Sequence, residues 1–233
     1  VPLFNGKNLD GWVTKFTGQA LNENYKNTFR VEDGILKVCY DEYDSLRNVF
    51  GHLLTKESYS HYKIRVEYRF TGEQVPGGAD WAYRNNGIMI HCQPPETIPL
   101  DQDFPVSIEV QLLGGNGVDE RPNMNVCTPG TLVMINGEYP KEHCFNSKAK
   151  TDHGDKWVNV EVEVRGDSII KHIINGEVVL QYEKPILDPN SPQYAKLLSL
   201  QSDERLTRGH IALQAESHPT EFRKVEIQIF DNN

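Results

Sequence analysis

Residues 168–183 read "SIIKHIINGEVVLQYE". Two apolar runs flank the Asn175-Gly176 pair, and both of those residues accept the positive φ of a type I′ turn. The stretch therefore predicts a β-hairpin. The segment before it, "WVNVEVEVR" (157–165), alternates valines with Asn159, Glu161, Glu163 and Arg165. Alternation of this kind marks a strand with one buried and one solvent face. The same signature recurs along the chain in "GILKVCY" (34–40), "YKIRVEYRF" (62–70), "NNGIMIHC" (85–92), "VSIEVQLL" (106–113), "TLVMING" (131–137), "GHIALQAE" (209–216) and "KVEIQIF" (224–230). Helical periodicity is nearly absent, and "SPQYAKLLSL" (191–200) is the best helix candidate. Many short strands with turn signals indicate an all-β sandwich or barrel. No repeat, low-complexity tract or linker divides the chain, so a single domain over residues 1–233 is expected.

Sorting side chains by face locates a candidate site. In 106–113, Val106, Ile108, Val110 and Leu112 oppose Ser107, Glu109 and Gln111. In 62–70, the tyrosines, Ile64, Val66 and Phe70 oppose Glu67 and Arg69. In 85–92, Ile88 and Ile90 oppose Asn85, Gly87, Met89 and His91, and in 209–216 Ile211 and Leu213 oppose Gln214 and Glu216. If these strands neighbour one another, their polar faces merge. The ordinary alternative is the wet outer face of an antiparallel sheet. Gly87 favours a site, because a strand glycine lets a ligand approach the backbone. Two long loops, "TGEQVPGGADWAY" (71–83) and "QPPETIPLDQDFP" (93–105), add Trp81 and Tyr83 near the same strands.

The totals narrow the classes. Net charge is -9, with 33 acids against 24 bases. That disfavours a nucleic-acid partner, which would want a basic surface. No apolar run approaches the roughly 20 residues of a membrane span. The chain opens "VPLFNGKNLDGW", with neither an initiator Met nor a signal-peptide core, so a start lacking its leader is the expectation. Cys39, Cys92, Cys127 and Cys144 show no paired zinc-ligand spacing. Cys127 and Cys144 bracket a hairpin-like stretch and could bridge in an oxidising compartment, whereas Cys39 and Cys92 read as buried thiols. No metal or cofactor is expected; carboxylates and amides suit calcium, but no spaced loop motif asks for it.

An ordered series of motifs resembles the 3-keto-disaccharide hydrolase family. It comprises "LFNGKNLDGW" (3–12), "LLTKESYSHYKIRVEYRF" (53–70), "NNGI" (85–88), "EVQLL" (109–113), "GDKWVNVEVEVRGDSIIKHIINGEVV" (154–179) and "GHIALQAESHPTEFRKVEI" (209–227). The resemblance implies a concanavalin A-like jelly-roll sandwich of two antiparallel sheets, akin to laminarinase-type glucanases, with a saccharide site on one sheet. It also implies export to the periplasm, the cell surface or the medium. Three departures stand out: His91 where relatives carry Arg, Gly114 where they carry Asp, and Glu216 near a frequent His.

A 3-keto sugar acidifies its C2–H, so a base can form the enolate, C1 can lose its substituent, and water can then add. Such chemistry needs a base, an acid for the leaving oxygen, and donors for the enolate. The expected proton-transfer residues are Glu109 and His91, in exchangeable roles. Arg69, Asn85 and Gln111 are expected to contact the substrate, Trp81 or Tyr83 to pack on the sugar, Glu67 or Glu216 to supply a second acid, and Gln214 to complete the polar face. The alternative is a non-catalytic, lectin-like module, since one sandwich serves both uses. An enzyme calls for a deep cleft and an acid with a perturbed pKa; a binding module calls for a shallow platform.

Overall fold

A computed structural model describes residues 1–231. Fifteen strands form: β1 (Trp12–Phe16), β2 (Phe29–Glu32), β3 (Ile35–Val38), β4 (Gly51–Thr55), β5 (His61–Phe70), β6 (Asn85–Cys92), β7 (Ile108–Leu113), β8 (Val126–Cys127), β9 (Thr131–Met134), β10 (Cys144–Phe145), β11 (Val158–Arg165), β12 (Ile169–Ile174), β13 (Glu177–Leu187), β14 (His210–Ala215) and β15 (Thr220–Ile229). They build two antiparallel sheets. One has seven strands in the order β1-β4-β14-β6-β7-β8-β10, and the other has eight in the order β2-β3-β15-β5-β11-β12-β13-β9. Among the described residues the one α-helix is α1 (Tyr194–Leu198), inside the segment expected to be helical. The protein is a jelly-roll sandwich. No helix of the described residues is long and apolar enough to cross a membrane.

The hairpin at Asn175-Gly176 forms between β12 and β13, with φ of 52° and 80° at the two turn residues. The core lies where the sheets face each other. The seven-stranded sheet contributes Leu53, Ile88, Ile90, Ile108, Val110, Leu112, Ile211 and Leu213; the other contributes Tyr62, Ile64, Val66, Tyr68, alternate valines of β11, Phe222, Val225 and Ile227, all buried. Strict alternation therefore turns the intervening residues of each sheet away from the core.

That assignment separates two groups that the sequence pattern pooled. β5 lies in the eight-stranded sheet, between β15 and β11, whereas β6, β7 and β14 are neighbours in the other sheet. Glu67 and Arg69 consequently lie on the opposite side of the sandwich from Glu109. Glu67 accepts hydrogen bonds from Arg223 at 2.7 Å and from Asn159 at 2.9 Å. Arg69 donates to Glu221 at 2.7 Å, and the Arg69 and Arg223 guanidinium groups lie 4.6 and 4.5 Å from the Trp157 ring centre. These are cross-strand ion pairs and cation–π contacts of a solvated sheet face. The expected substrate contacts of Glu67 and Arg69 are corrected accordingly.

His91 is displaced for a different reason. Cys92 pairs with His210 and Met89 with Ala212, so two residues of β6 oppose the single Ile211. This is a β-bulge, and His91 occupies it with φ 50°. The extra residue reverses the alternation. Cys92 joins Met89 in a small apolar cluster on the outer face, while the buried His91 ring places Nε2 3.1 Å from the carbonyl oxygen of Gly166 in the other sheet's β11–β12 turn. Gly209 makes room for the bulge, because a Cβ there would stand 2.4 Å from the His91 carbonyl carbon.

Candidate active site

The outer face of the seven-stranded sheet is divided. One part is apolar, with Leu54, Met89, Cys92 and Ala212 packed beneath Ile98 of the 93–105 loop. The rest is polar and opens into a cleft of about 870 Å³. Cross-strand register places the side chains. Gln111 lies opposite Gly87, Glu109 opposite Met89 and Cys127, and Gln214 opposite His52. Glu216 follows directly after β14, where continued alternation keeps it on the face of Gln214. Asn85, Glu109, Gln111, Glu216 and Trp81 all line the cleft. Gln214 lies behind them, fully buried, with its amide against Gly87.

The register that aligns these groups is fixed by Asn86. Its side-chain amide donates to the Gln214 carbonyl at 2.8 Å, and its oxygen accepts from the Gln214 and Gly87 backbone N–H groups at 3.2 and 2.8 Å. Gly87 then supplies a gap. A Cβ at that position would stand 2.4 Å from Gln214 Oε1 and 2.9 Å from Glu109 Cγ, so the absent side chain lets both approach over bare backbone.

Several buried polar atoms converge here without a partner in the protein: Asn85 Oδ1, Glu109 Oε1, both terminal atoms of Gln214, and Glu216 Oε2. Buried polar groups are almost always paired, so such a concentration marks a place built to bind something polar. Burial pushes the Glu109 carboxyl up to about 8; the nearby Gln214 amide tempers the rise, although its geometry falls short of a full hydrogen bond. Burial also drives Glu216 well above the carboxylate range, the charge of Glu109 adds to this, and the Arg121 guanidinium opposes it. Both acids line the same cleft.

Arg121 was not singled out by the sequence patterns. It lies in an irregular segment after β7, where no alternation exists to flag it. The cleft-lining guanidinium is anchored by carbonyls: it donates to Trp81 at 2.8 Å, to Gly114 at 3.2 Å and to Tyr83. Gly114 packs against Phe70 and Arg84, where an added Cβ would stand 2.9 Å from the Phe70 ring, leaving no room for an Asp.

The long loops form part of the wall. Trp81, 51% exposed, stands at the mouth with its ring centre 5.9 Å from that of Phe50 and 6.5 Å from that of Phe104. Phe104 is held because its loop is pinned: Lys15 Nζ donates to Leu100 O at 2.9 Å, and Gln93 Oε1 accepts from the Val106 N–H at 2.7 Å. Tyr83 does not line the cleft. Its ring packs edge-on against His218 at 5.2 Å, so its expected sugar contact is corrected to a bracing role.

The remaining walls come from residues within the segments 120–122, 125–130, 143–146 and 188–192. Cys127 and Cys144 form a disulfide that lines the cleft and ties β10 to β8. Cys92 is a buried free thiol and Cys39 a half-buried one. Among the described residues, no three His, Cys, Asp or Glu side chains cluster as metal ligands.

Residues 1–228 match the family described as the 3-keto-alpha-glucoside-1,2-lyase-like domain. The chain belongs to that family. No curated protein matches the chain. Among solved structures, it is similar to a protein of Parabacteroides distasonis called a "putative glycosyl hydrolase", at 20% identity and a TM-score of 0.54, over 98% of this chain and 93% of that one. It is also similar to the beta-glucanase of Bacillus licheniformis, at 12% identity and a TM-score of 0.54, over 98% and 97% of the two chains. The carbohydrate-binding module CBM66 of Bacillus subtilis matches at 12% identity and a TM-score of 0.50, over 94% and 95%. At these identities the likeness concerns the fold.

Proposed function

We propose that this protein cleaves 3-keto-glycosides by acid–base chemistry in the cleft, through elimination across C1 and C2 followed by addition of water. The observation that carries the reading is that two buried carboxyls, Glu109 and Glu216, line one cleft with unpartnered oxygens, among unpartnered amides and with Glu109 set against Gly87. A sugar ring resting over Gly87 would meet both acids. In the fraction of molecules in which one of the two is ionised, a fraction that grows as pH rises toward 8, that carboxylate removes the proton from C2, which the adjacent ketone acidifies. The electron pair enters the enolate, and the amides of Asn85, Gln111 and Gln214 with the charge of Arg121 offset the developing negative charge. As the enolate collapses, the C1–O bond breaks and the protonated member delivers its proton to the departing oxygen. Water then adds to C1 of the resulting enone and C2 is reprotonated, so the net change is hydrolysis.

His91 takes no part in this scheme, because it hydrogen-bonds across the core. Glu216 replaces it as the partner of Glu109. The two buried acids with raised pKa values support an enzyme over the lectin-like alternative. The disulfide supports residence in an oxidising compartment, namely the periplasm, the cell surface or the medium.

The test is cleavage of methyl 3-keto-α-glucoside by the wild type, Glu109→Gln and Glu216→Gln, with the enone followed by its ultraviolet absorption. Each variant is expected to lose about 10²–10⁴-fold in rate. An aryl leaving group, which departs without protonation, is expected to rescue only the variant that lacks the acid. Wild-type rates in either variant on the methyl glycoside would remove that residue from the mechanism.

A further inference from the structure

A second cavity, of about 340 Å³, opens beside the β6 bulge, within the roughly 300–1,000 Å³ that encloses small organic ligands. The bulge forms one wall, with His91 and Cys92 of β6 next to Gly209 and His210. The cavity is separate from the cleft. Val106 and Leu187 face it, whereas the adjoining Gly130, Asp188 and Ser191 line the cleft. Close packing seals the partition: a Cβ on Gly130 would stand 2.8 Å from Val106 Cγ2 and 3.0 Å from Ser191 Oγ.

The opposite wall is α1 and the segment that follows it. Leu197 and Leu206 are buried with Val106 and Leu187 in a small apolar cluster apart from the main core. The Leu206 N–H donates to the Pro185 carbonyl and the Leu187 N–H to the Glu204 carbonyl, both at 2.9 Å, which pins the segment to β13. The cavity is therefore built into the fold before any ligand arrives. Leu200, 61% exposed, carries the apolar lining out to the mouth, where an apolar ligand would take it out of water.

The charges at the rim do not balance. Arg205 is occupied by Asp203 at 2.9 Å and Asp167 at 3.7 Å. Arg208 makes no ion pair among the described residues; its Nε donates to Ser58 Oγ at 3.1 Å and one Nη to the Ser58 carbonyl at 3.3 Å. A guanidinium has five N–H donors, so three remain free for an anion. In a chain of net charge -9, this cavity thus carries one cation in excess. A doubly charged phosphate would meet that single cation and the nearby Asp203 as well, whereas one carboxylate matches it.

We propose that the cavity is a binding site for a small monocarboxylate with an apolar body, its carboxylate on Arg208 and its body among Leu187, Leu197, Leu200 and Leu206. The site is distinct from the saccharide cleft and stands independently of the function proposed above.

The experiment measures binding of 3-phenylpropanoate by calorimetry and by methyl NMR of the leucines. 3-Phenylpropanamide serves as the uncharged counterpart and acetate as the anion without an apolar body. The expected result is one site per chain, with shifts at the Leu197 and Leu206 methyls and with the amide and acetate each bound at least about tenfold more weakly. Arg208 is exposed, and Arg208→Gln is expected to bring the acid down to the level of the amide. Leu200→Asn is expected to weaken acid and amide alike, and Arg121→Gln, in the cleft, to leave both unchanged. Equal binding of acid and amide, acid binding that survives Arg208→Gln, shifts confined to cleft residues, or no binding at millimolar acid would each overturn the proposal.

Discussion

Gly87 and Glu109 share one small volume: a Cβ on the glycine would stand 2.9 Å from Glu109 Cγ, nearer than unstrained atoms come. The backbone at Gly87 does not lie in the left-handed region, so alanine is sterically and not conformationally excluded there. The first atoms to yield are the ends of the Gln214 and Glu109 side chains. Gly87→Ala is therefore expected to cost little in melting temperature and roughly 10²-fold in kcat/KM, the scale of a 1 Å misplacement. A comparison of steady-state rates and thermal unfolding checks this, and unchanged rates would show that the carboxyl needs no such cradle.

The raised pKa of Glu109 has a thermodynamic signature. The unfolded chain releases this proton near pH 4.5, while the folded chain retains it to about pH 8. Between those values the folded state binds more protons than the unfolded state, so stability falls as pH rises. Glu109→Gln removes that slope. The variant is expected to match the wild type below pH 4.5 and to be the more stable by several degrees at pH 8, as read by melting curves across the range. A variant less stable at pH 8 would mean that Glu109 is held ionised by a partner in the fold.

The histidines give the opposite limb. Burial pulls His52 down to about 3 and His91, His172 and His218 down to about 4. Each is neutral in the fold and would charge near 6.5 when unfolded, so stability is lost as pH falls from 6.5 toward 4. His91→Gln can still donate to the Gly166 carbonyl without titrating. It is expected to keep the wild-type pH–rate profile and to flatten the acid side of the stability curve. A shifted pH–rate profile would return His91 to the chemistry.

The Cys127–Cys144 bridge closes a loop of 17 residues, and β10 pairs with β8 through only two residues. Replacing both cysteines by serine is expected to cost about 3 kcal/mol, the chain-entropy value for a loop of about this length. Because the bridge lines the cleft, KM for a disaccharide should rise more than kcat falls. Denaturant unfolding and kinetics with and without a reductant measure both effects, and a reduced protein with unaltered KM would separate the bridge from the site.

Much of this was legible in the sequence. Alternation in 85–92, 106–113 and 209–216, with the turn at Asn175-Gly176, leads directly to the sandwich and to Asn85, Glu109, Gln111, Gln214 and Glu216 on one sheet. It misleads at Glu67 and Arg69, because period-2 patterning states which residues share a strand face but not which sheet the strand joins. It fails at His91, because one bulged residue reverses every later side chain and leaves no compositional trace. Arg121, His143 and Asp188 come from irregular segments or their borders, where position is set by tertiary contacts and not by local periodicity.

The most direct measurement of the proton-abstraction mechanism is the rate of methyl 3-keto-α-glucoside carrying deuterium at C2, alongside the unoxidised methyl glucoside. The expected result is a primary isotope effect on kcat/KM and no turnover of the unoxidised sugar. Equal rates for protium and deuterium, together with cleavage of the plain glucoside, would contradict it.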